Sequence, residues 1–528
     1  MSSGTVSCRI GRFSRSGFNS YADGSIAHRP EPPRSVPFHS AFRWRSLRIF
    51  RIPHSEKTMN PPIPVRNPRT GIPDYEIKPP TAEELGQVCA NVRQAQPSWQ
   101  QLGVEGRIEV MQQWKQVLLD RKEAIVAALV ADTGRLAESV MEVDGVISSL
   151  DGWCRLTPQF LTADTAQPTA IPTIQLQQQW VPYPLVGIIS PWNFPLLLSL
   201  IDAIPALLAG CGAIVKPSEI TPRFVEPVME TLAAVPELRS VLGYIQGAGE
   251  TGAALIKEVD LVCFTGSVAT GRKVAAAAAG QFIPAFLELG GKDPAIVLES
   301  ANLDLATSAL LWGSVVNTGQ SCLSIERIYV AEAVFEEFVD RLVAKAQTLK
   351  LAYPNPEDGQ IGPIIAEFQA KIIAEHLREA AEKGAAIRCG GKVEERGGGW
   401  WCPPTVLTGV SHQMKVMTEE TFGPIMPIMP FATVKEAIRL ANDSDYGLSG
   451  AVFAGSEAEA LAVAGQIDAG GISINDAGLT GFIHEGEKNS FKFSGLGGSR
   501  MGAVSLRRFL RRKALFVKTA SVADPWWF

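Results

Sequence analysis

Residues 186–216 read VGIISPWNFPLLLSLIDAIPALLAGCGAIVK, and the order of elements in this stretch sets the architecture. The short apolar run 186–189 is typical of a buried strand, and the longer apolar segment 196–209 is typical of a helix. A second buried strand follows at 213–215. A strand, a helix and a strand in this order predict two parallel neighbours joined by a crossover helix.

The alternation of strands and helices continues downstream of this unit, whereas the upstream part of the chain has a different pattern. Upstream, residues 81–150 show helical spacing of apolar side chains, and residues 160–182 are polar with short alternations typical of exposed strands. Downstream, a second α/β run spans residues 303–470. The sequence therefore predicts an α/β fold built on a doubly wound parallel sheet. The remaining predicted elements are a helix at 223–234, strands at 244–245, 261–264 and 295–298, an Ala-rich helix at 268–279, and helices near 304–316, 332–349 and 365–383.

Composition excludes several classes of protein. The chain has 528 residues, of which 46% are apolar and 20% charged, as expected of a globular protein with two to four domains. Its eight cysteines are scattered without a CxxC pair, which favours a reducing compartment over a disulfide framework. The six histidines lack the spacing of metal ligands, so we expect no metal site.

The charge is unevenly distributed. Residues 1–58 carry a net charge of +7, whereas the remaining residues carry −12, a poor match for nucleic acid. Two interpretations of the basic segment remain open: an organelle transit peptide, or a disordered extension that precedes the true start at Met59. We expect a cytoplasmic protein without a membrane span, with organelle targeting by residues 1–58 as the alternative.

Glycine-rich turns follow two predicted strands. Residues 247–252, GAGETG, match GxGxxG, which alone is a weak signal for a dinucleotide turn. Residues 264–271, FTGSVATG, are a better candidate because they leave an apolar strand and open a helix. Gly266 allows close approach of the backbone, and Ser267 and the helix N-terminus can bind a pyrophosphate.

Residues 216–219, KPSE, also follow a strand, at the end where doubly wound sheets bind ligands. Lys216 and Glu219, with Ser218 between them, can clamp a ribose whose hydroxyls donate to the carboxylate. The structural alternative for each of these motifs is an ordinary turn.

Three further side chains have the chemistry of a reactive site. Cys322 ends the run NTGQSC among small residues that leave a side chain approachable, Glu288 precedes a Gly pair in LELGGK, and Asn193 lies in the stiff loop PWNFP. Taken singly, they are also consistent with an inert core cysteine, a paired carboxylate and a turn cap.

Taken together, the motifs PWNFP, KPSE, FTGS, ELGGK, GQSC and ETFGP resemble the aldehyde dehydrogenase superfamily in order and spacing, over residues 62–518. The resemblance implies that Cys322 is the nucleophile, Glu288 the general base and Asn193 an oxyanion donor. It also implies a set of residues around a nicotinamide cofactor, NAD with NADP as an alternative. These are Trp192, Lys216, Ser218, Glu219, Gly249, Gly266, Ser267, Gly271, Glu420 and Phe422.

The resemblance implies a domain plan as well. Residues 59–159 and 183–290 would form the doubly wound cofactor-binding domain, and residues 291–500 the α/β catalytic domain. Residues 160–182 and 501–520 would form a β-arm that joins subunits into a homodimer or homotetramer.

The implied reaction is oxidation of an aldehyde through a thiohemiacetal and a thioester on Cys322, which Glu288 hydrolyses as base. An ordinary cysteine pKa of ~8.5 would leave a few per cent thiolate at neutral pH. Two alternatives remain: transfer of the acyl group to coenzyme A, and a catalytically silent binding protein. The substrate is expected to be an apolar aldehyde, because no Arg stands among the residues that the resemblance places around it. These are Leu197, Leu198, Ile201 and Leu323.

The C-terminus combines basic and aromatic residues, with Arg507, Arg508, Arg511, Arg512 and Lys513 followed by the ending WWF. This pattern suits contact with a membrane surface. The alternative is that the cluster pairs with acidic residues across the oligomer arm.

Overall fold

The computed structural model describes residues 60–161, 165–524 and 526. The segment 1–58, for which the sequence leaves two interpretations, lies outside the described residues. Most of the described chain consists of strands that alternate with helices, as the sequence predicts. The described helices are Ala82–Gln101, Gly103–Asp120, Lys122–Thr133, Ala137–Phe160, Pro195–Leu200, Ala203–Ala209, Val225–Ala233, Pro236–Arg239, Gly249–Leu255, Val268–Gly280, Leu303–Val315, Phe335–Ala346, Glu367–Glu382, Lys415–Thr418, Val434–Asn442, Glu457–Ala464 and Leu479–Phe482.

The first large sheet has six strands among the described residues, and five of them run parallel. Chain order reverses on either side of Leu185–Ile189, because the next two strands lie on one side of it and the following two on the other. Such a reversal is where doubly wound sheets bind ligands. In spatial order the strands are Gly495–Leu496, Ala285–Glu288, Leu261–Thr265, Leu185–Ile189, Gly212–Lys216 and Leu242–Tyr244.

The second large sheet has seven strands in the described chain, six of them parallel. Every residue of its central strands Asp293–Val297 and Ile325–Ala331 is buried, including the charged Asp293, Glu326 and Arg327. In spatial order the strands of this sheet are Ala386–Cys389, Thr405–Thr408, Ile425–Phe431, Ile325–Ala331, Asp293–Val297, Ser449–Phe453 and Gly471–Ile474.

A three-stranded antiparallel sheet stands apart from these two cores. Ile174–Pro182 pairs along its whole length with Leu510–Lys518, and Gln167–Pro168 completes the sheet. Most side chains of Leu510–Lys518 are exposed, so this sheet has little core of its own. The pairs Ile63–Arg66 with Pro73–Ile77, Glu394–Arg396 with Gly399–Trp401, and Tyr446–Gly447 with Phe491–Lys492 form small sheets elsewhere.

The predicted single helix over 196–209 is wrong in one respect. The structure has two helices, Pro195–Leu200 and Ala203–Ala209, separated by a turn at Ile201 and Asp202. Asp202 is 1% exposed and accepts hydrogen bonds from Arg500 and Arg508, each at 2.8 Å. Burial would raise the pKa of Asp202, but the two guanidinium groups hold that pKa below its ordinary value. The helix is interrupted because Pro205 has no N–H to donate to the Ile201 carbonyl, and the two ion pairs hold Asp202 in the turn.

No helix among the described residues is both long enough and apolar enough to cross a bilayer.

Candidate active site

The carboxyl ends of three adjacent parallel strands, Leu185–Ile189, Gly212–Lys216 and Leu261–Thr265, border a cavity of about 740 Å³. The loops that follow these strands carry three of the motifs singled out in the sequence. The cavity brings together most of the residues predicted from sequence for catalysis and cofactor binding. These are Trp192, Asn193, Lys216, Ser218, Glu219, Gly249, Gly266, Ser267, Cys322, Glu420 and Phe422.

Cys322 reaches the cavity from a tight loop after the helix Leu303–Val315. Asn317 and Thr318 both have left-handed backbone conformations, with φ of 55° and 56°. Such values are strained for residues other than glycine, and they persist only where the surroundings hold them. The loop is therefore fixed in shape before any substrate arrives.

The Gly pair after Glu288 allows two parts of the site to approach closely. A Cβ on Gly290 would lie 2.5 Å from the Glu420 carboxylate, and a Cβ on Gly291 would lie 2.5 Å from the carbonyl oxygen of Cys322. The Gly291 N–H also donates to Glu420 at 3.0 Å. The Gly pair thus holds Glu420 beside the nucleophile loop.

The pKa of the Cys322 thiol differs from the sequence expectation. Burial, with further contributions from Glu420 and Asp293, raises the pKa of Cys322 to about 12, while Lys488 opposes this shift. The expected few per cent of thiolate at neutral pH is therefore wrong for the ligand-free protein, in which the thiol form dominates. Burial also raises the pKa of Glu420 to about 8.

These shifts predict the pH dependence of alkylation at Cys322 in the ligand-free protein. The rate should rise by about tenfold per pH unit between about pH 8 and about pH 11, because only the thiolate reacts. At alkaline pH, Glu420→Gln should accelerate alkylation by removing a negative charge, and Lys488→Met should slow it. Mass spectrometry of the Cys322 peptide after timed exposure to iodoacetamide measures both effects. A plateau near pH 8 would contradict the raised pKa.

The loop of Asn193 lies against the Cys322 loop. The Asn193 side-chain amide donates one hydrogen bond to the Gln320 carbonyl at 3.0 Å, which fixes the plane of the amide. An amide nitrogen has two N–H groups, so one remains for an oxyanion. Asn193 is 4% exposed and lines the cavity beside Cys322.

Glu288 and Gly271 lie just outside the cavity wall. Glu288 ends the strand Ala285–Glu288 and accepts a hydrogen bond from Ser490 Oγ at 3.0 Å. The charge of Glu288 still reaches Cys322, since it contributes to the raised pKa of that thiol. Gly271 packs beneath Leu289, whose Cδ2 would lie 2.5 Å from a Cβ on Gly271.

Aromatic rings and one ion pair complete the cavity wall. Trp192 packs edge-on against Phe422 and Phe368, with ring centroids 5.3 Å and 6.1 Å apart. Lys216 Nζ lies 3.1 Å from Glu219 Oε2. Phe368 and the neighbouring Gln369 were not predicted, because the helix that begins at Glu367 carries no recognisable motif.

A dinucleotide fits this cavity on two observations. The buried Ser190 hydroxyl lines the cavity and has no hydrogen-bond partner in the protein. Ser267 caps the 13-residue helix Val268–Gly280, whose N-terminal N–H groups favour an anionic group such as a pyrophosphate.

The residues predicted for substrate lie away from this cavity. Leu197, Leu198, Ile201 and Leu323 are all half-buried, and none of them lines the cavity. Leu323 Cδ1 would lie 3.5 Å from a Cβ on Gly481, the residue before Phe482, whose ring packs against Trp312.

The described residues contain no group of three His, Cys, Asp or Glu side chains placed to hold a metal ion.

A doubly wound sheet with a dinucleotide-sized cavity at the ends of its strands is typical of oxidoreductases that use a nicotinamide cofactor. Residues 54–515 match the profile of the aldehyde dehydrogenase family. The chain belongs to this family, and it is an NAD(P)-dependent aldehyde dehydrogenase.

Two solved structures have similar folds. One, PutA from Anabaena variabilis, has a provisional assignment as an aldehyde dehydrogenase and is 67% identical, with a TM-score of 0.87, covering 89% of this chain and 100% of that one. The other is a betaine aldehyde dehydrogenase from Staphylococcus aureus in complex with NAD+. It is 31% identical, with a TM-score of 0.83, covering 89% of this chain and 93% of that one.

Two curated relatives differ in the aldehyde that their names give. A protein of Mycolicibacterium smegmatis with the provisional name succinate-semialdehyde dehydrogenase, NADP(+), is 33% identical over 88% of this chain and 90% of its own. The 4,4'-diapolycopene aldehyde oxidase of a Methylomonas species is 37% identical over 77% of each chain.

Proposed function

We propose that this enzyme oxidises an apolar aldehyde to its carboxylic acid, with Cys322 as nucleophile, Asn193 as oxyanion donor and Glu288 as base. The observation that carries the reaction type is the position of Cys322 and Asn193 on one wall of the cavity built by the three strand ends.

The residues divide the chemistry among them. The thiolate form of Cys322, whose proton has passed to solvent, adds through Sγ to the aldehyde carbon. The Asn193 amide and the Cys322 backbone N–H stabilise the resulting oxyanion, at about 3–4 kcal/mol for each donor. After oxidation the acyl group is a thioester on Cys322. Glu288, held by Ser490, takes a proton from water, and the hydroxide releases the acid.

The nicotinamide cofactor supplies the acceptor for the hydride that leaves the substrate carbon. Ser267 and the N-terminus of the helix that follows it would hold the pyrophosphate. Lys216 and Glu219 would bind one ribose of the cofactor, and Glu420 would bind the other ribose. Trp192 and Phe422 would bound the nicotinamide end.

Glu219 should make NAD the better cofactor, because a 2′-phosphate would meet its negative charge. Lys216 is already paired with Glu219, which limits its ability to offset that repulsion. Glu219→Gln should therefore lower the preference for NAD, expressed as kcat/KM for NAD divided by kcat/KM for NADP, by about tenfold. The exposed Glu226→Gln, with the same change of charge, is the control. A wild-type preference for NADP would overturn this assignment.

The apolar substrate is supported by the surroundings of Leu323, which follows the nucleophile. Leu323 approaches Gly481, and the neighbouring Phe482 packs on Trp312 with ring centroids 5.7 Å apart, while Ile483 in the same segment is 54% exposed. An exposed apolar rim of this kind marks a surface that binds an apolar group. The name of the Methylomonas relative points to the same class of aldehyde.

A second candidate substrate is an aldehyde with a carboxylate. Lys488 is a positive charge whose field reaches Cys322, where it lowers the pKa of the thiol. A cation there can pair with an anionic tail, and the name of the Mycolicibacterium relative includes such an aldehyde.

Comparison of kcat/KM for hexanal, decanal, benzaldehyde and succinic semialdehyde tests the substrate class. We expect decanal or benzaldehyde to have the highest kcat/KM, because burial of apolar substrate surface against Trp312 and Phe482 favours binding. Lys488→Met should leave decanal oxidation within about threefold and reduce oxidation of succinic semialdehyde by about tenfold or more. If succinic semialdehyde is the best substrate of the wild-type enzyme, the apolar proposal is wrong and the second candidate substrate class is favoured.

The remaining expectations concern assembly and location. The three-stranded sheet would join subunits into a homodimer or homotetramer, supported by Phe516, which is 73% exposed on Leu510–Lys518. Contact with a membrane surface is the other use for this sheet, where Arg507 and Arg512 stack on Trp180. The cysteines of the described residues are free, in keeping with a reducing compartment such as the cytoplasm.

A further inference from the structure

A buried ion pair behind the active site connects its two catalytic loops. Arg135 and Glu142 are 2% and 0% exposed at the side chain, and Arg135 Nη2 lies 2.9 Å from Glu142 Oε1. Neither residue lines the cofactor cavity. Both lie upstream of every motif in the sequence, and the chemistry described above uses neither.

Arg135 donates to both loops at once. Its Nη2 donates to the Asn193 carbonyl at 2.8 Å, and its Nη1 donates to the Asn317 side-chain oxygen. The guanidinium carbon also lies 4.8 Å from the centre of the Phe194 ring, the residue after Asn193. One rigid, planar group thus binds the oxyanion-donor loop and the nucleophile loop.

Glu142 fixes the other end of the Asn193 loop. Its Oε2 accepts from the backbone N–H groups of Leu196 and Leu197 at 3.0 Å and 3.1 Å. These are first-turn donors of the helix Pro195–Leu200, which have no partner within the helix. The Asn193 loop is therefore held by both residues of the ion pair: Arg135 binds it at the Asn193 carbonyl, and Glu142 binds it at Leu196 and Leu197.

Asn317 closes the connection on the nucleophile side. Its Nδ2 donates to the carbonyl of Asn193 and to that of Gln320, each at 2.9 Å, and Gln320 also accepts from the Asn193 amide. The strained conformation of Asn317 is thus maintained by groups that converge on Arg135. Removal of Arg135 would release both loops.

We propose that Arg135 and Glu142 are positioning residues that set the spacing between the Asn193 amide and Cys322. This inference rests on the proposed function, since it needs Asn193 to act as oxyanion donor. Neither residue touches the substrate, and both act through Asn193 and Asn317. Displacement of a catalytic group by about 1 Å can cost on the order of 100-fold in rate.

The test compares Arg135→Lys with the double variant Arg135→Met/Glu142→Gln. Lysine keeps the charge but cannot bind both loops with a planar fork, and the double variant leaves no buried charge unpaired. We expect kcat to fall by about 10- to 100-fold in each, with cofactor Kd and the rate of Cys322 alkylation within about threefold of wild type. Arg107→Met is the control, because this buried guanidinium donates only to the Leu208 and Gln100 carbonyls; it should lower Tm and keep kcat.

A second measurement separates positioning from a purely structural role. In an Asn193→Ala background, Arg135→Lys should lower kcat by less than about threefold, because the donor that it positions is gone. An equal loss in both backgrounds, or wild-type kcat in Arg135→Lys, would overturn the inference. If the double variant does not fold, the effect of Arg135→Lys on kcat in the wild-type and Asn193→Ala backgrounds tests the inference by itself. Wild-type turnover of an aldehyde tests the proposed function separately, so the two failures are distinguishable.

Discussion

Cys322→Ala is expected to abolish aldehyde oxidation, with a loss of about 10⁴-fold or more in kcat/KM. Without the thiol no covalent adduct forms, and no other described cysteine lines the cavity. The cofactor residues are unchanged, so cofactor Kd should stay within about twofold. Absorbance at 340 nm with aldehyde and cofactor measures the first quantity, and a fluorescence titration measures the second.

The matched control is Cys154→Ala. Cys154 is a buried cysteine on the helix Ala137–Phe160, remote from the cavity, and its loss should cost stability but not turnover. Aldehyde oxidation that survives in Cys322→Ala would contradict the nucleophile assignment, and with it the proposed mechanism.

Glu288→Gln is expected to release one equivalent of reduced cofactor per site and then stall. Formation of the thioester uses the Cys322 thiolate that loss of a proton to solvent supplies, whereas hydrolysis of the thioester uses Glu288, and loss of a general base costs about 10²- to 10⁴-fold. Rapid mixing with absorbance at 340 nm resolves the burst from the steady state. Glutamine keeps the size of the side chain and its contact with Ser490 Oγ, so structural damage should be small.

Two comparisons sharpen this result. The exposed Glu299→Gln carries the same change away from the cavity and should turn over normally. Coenzyme A added to the stalled enzyme should not restore turnover if water is the natural acceptor, and rescue would favour the acyl-transfer alternative. A wild-type rate for Glu288→Gln across neutral pH would remove Glu288 from the role of base.

The alternation of strands and helices, and the turns 216–219 and 264–271 that line the cavity, were predictable because both depend on local sequence. Trp192, Glu420 and Phe422 followed only from the resemblance. A buried strand is a short apolar run, and the loops after parallel strands meet at one edge of the sheet. The resemblance then gave roles to Cys322, Glu288 and Asn193, which no local pattern assigns.

What the sequence missed depends on partners far along the chain. The connection through Arg135 has no local signal, because its partners Asn193 and Asn317 lie 58 and 182 residues away. The helix break beside Asp202 does have one, since Pro205 carries no N–H for the Ile201 carbonyl. The two left-handed residues, Asn317 and Thr318, are not glycines, so composition did not mark them. The raised pKa of Cys322 follows from burial and from Glu420, a neighbour created by the fold.

The buried aspartate in the first half of the chain also has a consequence for protein synthesis. Asp202 is translated long before Arg500 and Arg508, which lie 298 and 306 residues later, and the edge strand Gly495–Leu496 beside Glu288 is made equally late. The nascent chain therefore holds an unneutralised carboxylate between the helices Pro195–Leu200 and Ala203–Ala209 until Arg500 and Arg508 have been made. A message that ends before these two residues yields a chain without the counter-charges of Asp202, which cannot complete the fold around the site.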